Sequence, residues 1–422
     1  MKVTFCAYDK PDSIGGPITW LQHLLPDLKK RGLDVRCLIL FHAGETGPLY
    51  EHLTSEGVPC QTSSFKTYTE DNIRWILERL KEDLPHIFVP NLVVAAYYAA
   101  KWAKKAGIYT VGVSHSDDSF YHAIQKEFID GSKDFRLSGM VCVSSELEKQ
   151  LNASRFEDEL LIERIPYGVK VPSEKAQRED DNLKVVYVGR FAEEQKRISE
   201  VAKSFCRMTA AIPNVSAVFY GDGPNKGNLE TVLKTEGKNL PVSIAGSIPS
   251  HKIQGKLLEA HVIVLLSDFE GLPISVLEAM ACGVVPVCLK MKSGITEQIK
   301  HGVTGFVVND REDDFLNAIK TLQADRSLWN TMSENAKQFI AGNFTLEQCY
   351  DKWYNYLSSF KSQKVEIVTI PKSFKLPKVH PYLARADWRK ENKTIGIINN
   401  LKLKLVRTRM YLGRIKNGIL SK

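Results

Sequence analysis

The stretch "HVIVLLSDFEGLPISVLEAMACGVVPVCL" (261–289) decides the fold. Val262 to Leu266 is a short aliphatic and β-branched run, the composition of a buried strand. Gly271 permits a tight turn, and Pro273 suits the first position of a helix, where a missing N–H costs nothing. "ISVLEAMAC" then reads as a helix closed by Gly283, and "VVPVCL" as a further buried strand. Glu270 falls in the strand-to-helix loop and Glu278 in the second turn of the helix. A helix start offers free N–H groups and the positive end of the dipole to an anion. An ionised carboxylate beside it accepts hydrogen bonds from sugar hydroxyls. Phosphate on the helix end with carboxylates on hydroxyls describes a nucleotide-sugar. A glutamate that only complements the helix dipole is the plainer reading, and this stretch alone does not choose.

The same rhythm runs through most of the 422 residues. "KVTFCAY", "DVRCLIL", "HIFVP", "YTVGVSH", "GMVCVS" and "LIERIPYGV" read as strands. Between the earlier ones lie helical segments such as "ITWLQHLLPDLKKRG", with Ile18, Leu21, Leu25 and Leu28 on one face. "PSEKAQREDDN" (172–182) interrupts as a polar, acidic linker. The alternation then restarts with "LKVVYVGR" and runs to "GFVV". Two successive doubly wound, Rossmann-like α/β domains follow, with ligands at the C-terminal ends of the strands and therefore in the cleft between them. The expected boundaries are 1–172, linker 173–183, and 184–344.

Composition narrows the class. Hydrophobic residues make up 43% and charged ones 25%, ordinary for a chain with real cores. No apolar run reaches transmembrane length, and "MKVTFCAYDK" has no signal-peptide character. The eight cysteines are scattered without a C-x-x-C pair, as in a reduced cytosolic protein. The net charge of +8 is unevenly placed: residues 361–422 hold sixteen Lys or Arg against three acids, leaving the preceding 360 at −5.

Other loops carry candidate chemistry. Gly15 and Gly16, in "DSIGGPIT", follow the first strand and let backbone N–H groups approach a ligand; a plain turn explains them equally well. Arg190 and Lys196, in "VGRFAEEQKRI", follow the first strand of the second domain, where Arg grips phosphate bidentately and Lys adds a point charge. A solvated basic pair is the plainer reading. His115 ends the strand "VGVSH". No D-x-D occurs, which argues against a metal-bound diphosphate.

Together these residues resemble family 4 retaining glycosyltransferases of the GT-B fold. The glutamates of "EGLPISVLEAMACG" match the family's pair with seven intervening residues. Arg190 with Lys196, the Gly15–Gly16 loop, "VSSELEKQL", "IPYGV", "GDGP" and "HGVTGFVV" sit in family order over residues 1–360. Tyr167 stands where the family often has Asn.

The resemblance implies a metal-independent glycosyltransferase with no cofactor, using a nucleotide-sugar co-substrate, a UDP-sugar being expected. Arg190 and Lys196 would hold the diphosphate. The backbone around Gly271, Leu272, Pro273, Ile274 and Ser275 would cap it. Glu278 would bind the ribose, Glu270 the donor sugar, and His115 would lie against that sugar. A GT-B epimerase or phosphorylase, or an inactive scaffold, are the alternatives. The acceptor is not named by the sequence; cell-surface polysaccharide or glycoconjugate synthesis is the expected setting.

Residues 345–360 resemble the family's helix that crosses back to the N-terminal domain. Beyond it, 361–422 read as a basic extension. Ile398, Leu401, Leu405, Leu412, Ile415 and Ile419 recur at three-four spacing among Lys and Arg, the pattern of a basic amphipathic helix on an anionic membrane surface. This predicts a cytoplasmic protein held peripherally on a membrane. Nucleic acid is the weaker partner, and packing on the body or on a second subunit of a homo-oligomer is the plain alternative.

Overall fold

The computed structural model describes residues 1–11, 15–42, 44–153 and 160–390. The first sheet is built from β1 (Lys2–Asp9), β2 (Asp34–Phe41), β3 (Cys60–Ser64), β4 (Ile87–Pro90), β5 (Tyr109–Ser114), β6 (Gly139–Cys142) and β7 (Leu161–Arg164). The intervening helices are α1 (Gly16–Lys30), α2 (Pro48–Ser55), α3 (Thr69–Glu82), α4 (Val94–Lys105), α5 (Ser119–Phe128) and α6 (Ser145–Asn152). Every pairing is parallel, in the order β3-β2-β1-β4-β5-β6-β7. Strands such as β4, "IFVP", are buried along their whole length, as expected where helices cover both faces.

The second sheet uses β8 (Leu183–Val188), β9 (Val215–Tyr220), β10 (Val242–Gly246), β11 (Val262–Leu265), β12 (Val285–Leu289) and β13 (Phe306–Val308), in the order β10-β9-β8-β11-β12-β13. Its helices are α7 (Ile198–Ala211), α8 (Lys226–Thr235), α9 (Ser250–Leu258), α10 (Ile274–Ala281), α11 (Ile295–Gln298), α12 (Asp313–Ala324) and α13 (Arg326–Asn343). Two doubly wound domains, the GT-B architecture, are therefore present as the sequence predicts. In each sheet the order reverses between two neighbouring strands: β1 and β4 in the first, β8 and β11 in the second. Loops diverge there, leaving a crevice outside the carboxyl ends. The glycine loop follows β1, Asn91 follows β4, Arg190 follows β8 and Glu270 follows β11.

Two chain crossings join the domains and bond to each other. The Val169 N–H donates to Phe344 O at 2.9 Å, and Val169 bridges Thr345. Thr345 and Gln348 then form a capping box on α14 (Leu346–Ser358). This helix returns to the N-terminal domain, where the buried Trp353 lies 5.3 Å from the Trp20 ring and the Tyr356 hydroxyl donates to Leu161 O at 2.9 Å.

The chain past Phe360 is not a free extension. Residues 361–390 run as a strap over α3, α4 and α5. The Glu366 N–H donates to Ala106 O at 2.7 Å, Arg74 donates to the carbonyls of Pro371 and Lys372, and Phe374 meets Trp102 edge-on at 5.0 Å. Leu383 and Val368 are buried, and the Thr69 N–H donates to Trp388 O at 2.7 Å. The expected amphipathic helix at 398–419 lies outside the described residues. Among the described residues no helix is long and apolar enough to cross a membrane. The eight thiols are all unpaired, and seven are buried.

Candidate active site

The helix that opened the sequence reading is α10. Pro273 is its cap residue, one position earlier than expected, with φ −68° and ψ 112°. No side chain caps the first turn and no acid lies in it, so its N–H groups remain available to an anion. At the other end Gly283 adopts φ 77°, and the Val284 N–H returns to Ala279 O at 2.9 Å, the left-handed closure glycine permits.

The loops after β8 and β11 are stitched together. The Asp268 N–H donates to Gln195 O at 2.9 Å, and Gln195 Nε2 to Phe269 O at 3.0 Å. This sets Lys196 against Glu270 in a direct ion pair, with the Glu270 residue only 7% exposed. An ammonium has three donors; one serves Glu270 and two remain. Arg190 is exposed and makes no ion pair among the described residues. Its charge is felt by Tyr8, at the end of β1 in the other domain. Glu278 is half-buried, and desolvation pushes its carboxyl pKa up from the usual carboxylate range to about 7.

That shift has a measurable sign. Unfolded, the Glu278 carboxyl loses its proton near the ordinary glutamate value; folded, it keeps it up to about 7. Between the two the folded state binds more protons, so this contribution to stability is present at low pH and lost as pH rises through about 7. The wild-type melting temperature should therefore fall from pH 5 to pH 8 by more than that of Glu278→Gln. Superimposable pH profiles would show that the carboxyl is not so desolvated.

The N-terminal domain closes on this helix. Ser116 forms an antiparallel bridge with Gly271. A Cβ at Gly271 would sit 2.0 Å from His115 O, so only glycine fits. Gly16 packs on Ile274: a Cβ there would lie 3.1 Å from the Ile274 Cδ1. Gly15 caps α1, its carbonyl accepting from the Ile18 and Thr19 N–H groups at 3.1 Å. Residues 12–14 of that loop lie outside the described residues. A second closure contact comes from α11, where Glu297 accepts from the Ser145 N–H at 2.6 Å, the Ser145 hydroxyl at 2.7 Å and Arg164 at 2.8 Å.

His115 is buried with both ring nitrogens bonded: Nδ1 to the Tyr167 hydroxyl, Nε2 to Asn91 Oδ1 at 2.7 Å. Burial drops its pKa to about 3, so the ring is neutral at ordinary pH. Tyr167, where the family often has Asn, stacks on His115 with ring planes 6° apart.

The structure thus brings Gly16, His115, Lys196, Glu270, Gly271 and Ile274 to one cleft, with Arg190 on its rim and Glu278 one turn into α10. Sequence reasoning missed Asn91, Tyr167 as the partner of His115, and Glu297. Asn91 had a signal, since it directly follows a buried strand. Glu297 had none, because its partners are more than 130 residues away in sequence.

The family model for group 1 glycosyl transferases matches residues 171–339, the linker and the second domain. Over that span the chain is similar to the group 1 glycosyl transferases. It is 27% identical over 280 residues to a lipopolysaccharide 1,6-galactosyltransferase of Salmonella typhimurium, covering 65% of this chain and 74% of that one. It is 30% identical over 174 residues to an alpha-D-kanosaminyltransferase of Streptomyces kanamyceticus, covering 41% of this chain but only 45% of that relative. Among solved structures, Anabaena HepE in complex with UDP-glucose superposes with TM-score 0.68 at 18% identity, over 85% of this chain and all of that one. This likeness fixes the fold.

Proposed function

We propose that this chain is a retaining, metal-independent glycosyltransferase that moves a sugar from a UDP-sugar to an acceptor in cell-surface polysaccharide or glycoconjugate synthesis. The observation that carries the reading is the uncapped start of α10 flanked by Lys196, Glu270 and Glu278. In this reading the backbone of Gly271 to Ser275 caps the diphosphate, and Lys196 and Arg190 neutralise it. The diphosphate gains negative charge as the glycosidic bond breaks. Two cations and a helix end aimed at it therefore act where charge develops. Glu278 takes the ribose hydroxyls and Glu270 the donor sugar. His115, neutral and held by Tyr167 and Asn91, shapes the wall behind that sugar. The leaving diphosphate itself takes the acceptor proton, so the new bond forms on the face the old one left.

The basic residues 391–422 hold the enzyme on the cytoplasmic face of an anionic membrane in this proposal, supported by eight Lys or Arg against one acid there. Release of nucleoside diphosphate from a UDP-sugar with an acceptor extract tests the activity, and NMR of the product anomer tests retention. Turnover should survive EDTA. Loss restored by magnesium, or an inverted anomer, would overturn those two elements.

A further inference from the structure

The loops that carry Lys196 and Glu270 are gripped from behind by a ring of charges. Arg197 donates directly to one oxygen of Glu200, and the other Glu200 oxygen lies 3.4 Å from Arg311 Nη1. Arg311 Nη2 donates directly to one oxygen of Asp268, and the other Asp268 oxygen lies 3.6 Å from Arg197 Nε. Guanidinium and carboxylate alternate, and each carboxylate oxygen faces one arginine. The ring touches the site on both sides. Arg197 directly follows Lys196, and Asp268 stands just before Phe269 and Glu270.

Arg311 reaches furthest. It lies between β13 and α12, and β12 separates β13 from β11 in the sheet. Its backbone is fixed by Ser204 of α7, whose hydroxyl donates to Arg311 O at 2.7 Å. Its Nε donates to Leu266 O, where the chain leaves β11, at 2.9 Å. One side chain thus holds both the carbonyl at which the donor loop starts and the carboxylate just ahead of Glu270. Each nitrogen of the guanidinium faces a protein partner, so none is left for a diphosphate. Across the ring Arg197 holds φ 52°, uncommon for a residue with a Cβ. Such a conformation persists where the surroundings over-determine it.

Fold stability does not explain the ring. Arg197 and Glu200 are 40% exposed and Asp268 42%, and ion pairs so open to water add little to global stability. What the ring fixes is position. Lys196 has a long stem that can follow a diphosphate, whereas the shorter Glu270 side chain must meet sugar hydroxyls at set places. A misplacement of about 1 Å can cost about 10² in rate.

We propose that Arg311 is a positioning residue, which holds the loop from Leu266 to Glu270 so that Glu270 meets the donor sugar in its reactive pose. The inference rests on the donor reading of α10 and adds to it a residue that touches no substrate.

Kinetics and calorimetry on the full chain test it. The donors are UDP-glucose, UDP-galactose and UDP-N-acetylglucosamine, the readout is UDP release in the presence of an acceptor extract, and the donor that the wild type uses fastest is carried forward. Arg311→Met should lower kcat at least about ten-fold. UDP should bind within about two-fold of the wild-type affinity and the melting temperature should barely move, since the lost ion pairs are open to water. Asp268→Asn, which opens the ring from the loop side, should show the same split. A double-mutant cycle separates positioning from plain structural loss: in a Glu270→Gln background, Arg311→Met should lower kcat by less than about two-fold more, because the group it positions is already changed. Additive losses in that background would overturn the proposal, as would wild-type kcat in both single variants. A loss of UDP affinity as large as the loss of kcat, or failure of both variants to fold, would overturn it too, for then the ring serves the whole domain. If the wild type binds no UDP, the donor reading falls and this inference with it; normal UDP binding with unaltered turnover removes Arg311 alone.

Discussion

Lys196→Met should cost the ligand-free protein about 3–5 kcal/mol, the usual penalty for stranding one member of a buried ion pair. Both side chains are largely enclosed, Lys196 at 14% and Glu270 at 9% exposed. The same substitution should cost about 10²–10³ in turnover, because the ammonium is placed to meet charge that grows only as the bond breaks. The two effects separate in the double variant Lys196→Met/Glu270→Gln. Removing both charges leaves no stranded carboxylate, so chemical denaturation should recover most of the lost stability. Turnover should stay low, since neither neutral side chain restores a cation at the diphosphate. A single variant as stable as the wild type would mean the pair is not energetically coupled. A double variant with restored turnover would remove Lys196 from the chemistry.

Truncation after Phe360 should destabilise the protein by about 3–6 kcal/mol, because two buried aliphatics of the strap, Leu383 and Val368, count for about 1.5–3 kcal/mol each. The cut also frees Arg74 from the Pro371 and Lys372 carbonyls and uncovers the Tyr98 ring beneath Arg389. Truncation after Lys390 keeps all of these contacts and removes only the segment with eight cations and one acid. That shorter cut should leave melting and UDP binding intact while abolishing co-sedimentation with anionic vesicles at low salt, where each basic residue near the surface adds roughly 1 kcal/mol. Equal stability of the two truncated forms would mean the strap is not part of the body. Vesicle binding that survives the shorter cut would move the membrane contact elsewhere.

These expectations mark how far the sequence could be read. The alternation of buried strands with amphipathic helices was legible because its periods are local, and so was α10, whose glycines bracket the helix. The boundary at Phe360 was misplaced for a physical reason. The strap has no hydrophobic period: apart from a short turn at Pro381–Leu383, it lies as irregular chain pinned by single residues such as Leu383, Phe374 and Arg389. Such anchors are invisible until the surface they fit is known. The site divided along the same line. Glu270 and Lys196 could each be picked out from their loops, but their pairing spans 74 residues and depends on β8 lying beside β11. His115 was found as a strand-end residue, whereas its bonds to Asn91 and Tyr167 depend on β4 lying beside β5 and on the first crossing returning past them.

The central claim is that the start of α10 holds a nucleoside diphosphate between Arg190, Lys196 and Glu278. Calorimetric titration of UDP into wild type, Arg190→Ala and Glu278→Gln tests it most directly. The wild type should bind with one site per chain. Each variant should bind at least about ten-fold more weakly, since each loses a charge-assisted contact worth about 1.5–3 kcal/mol, while at pH 7 Arg190→Ala melts normally and Glu278→Gln melts at or above the wild-type temperature. Undiminished UDP affinity in both variants, or no binding of any nucleoside diphosphate by the wild type, would contradict it.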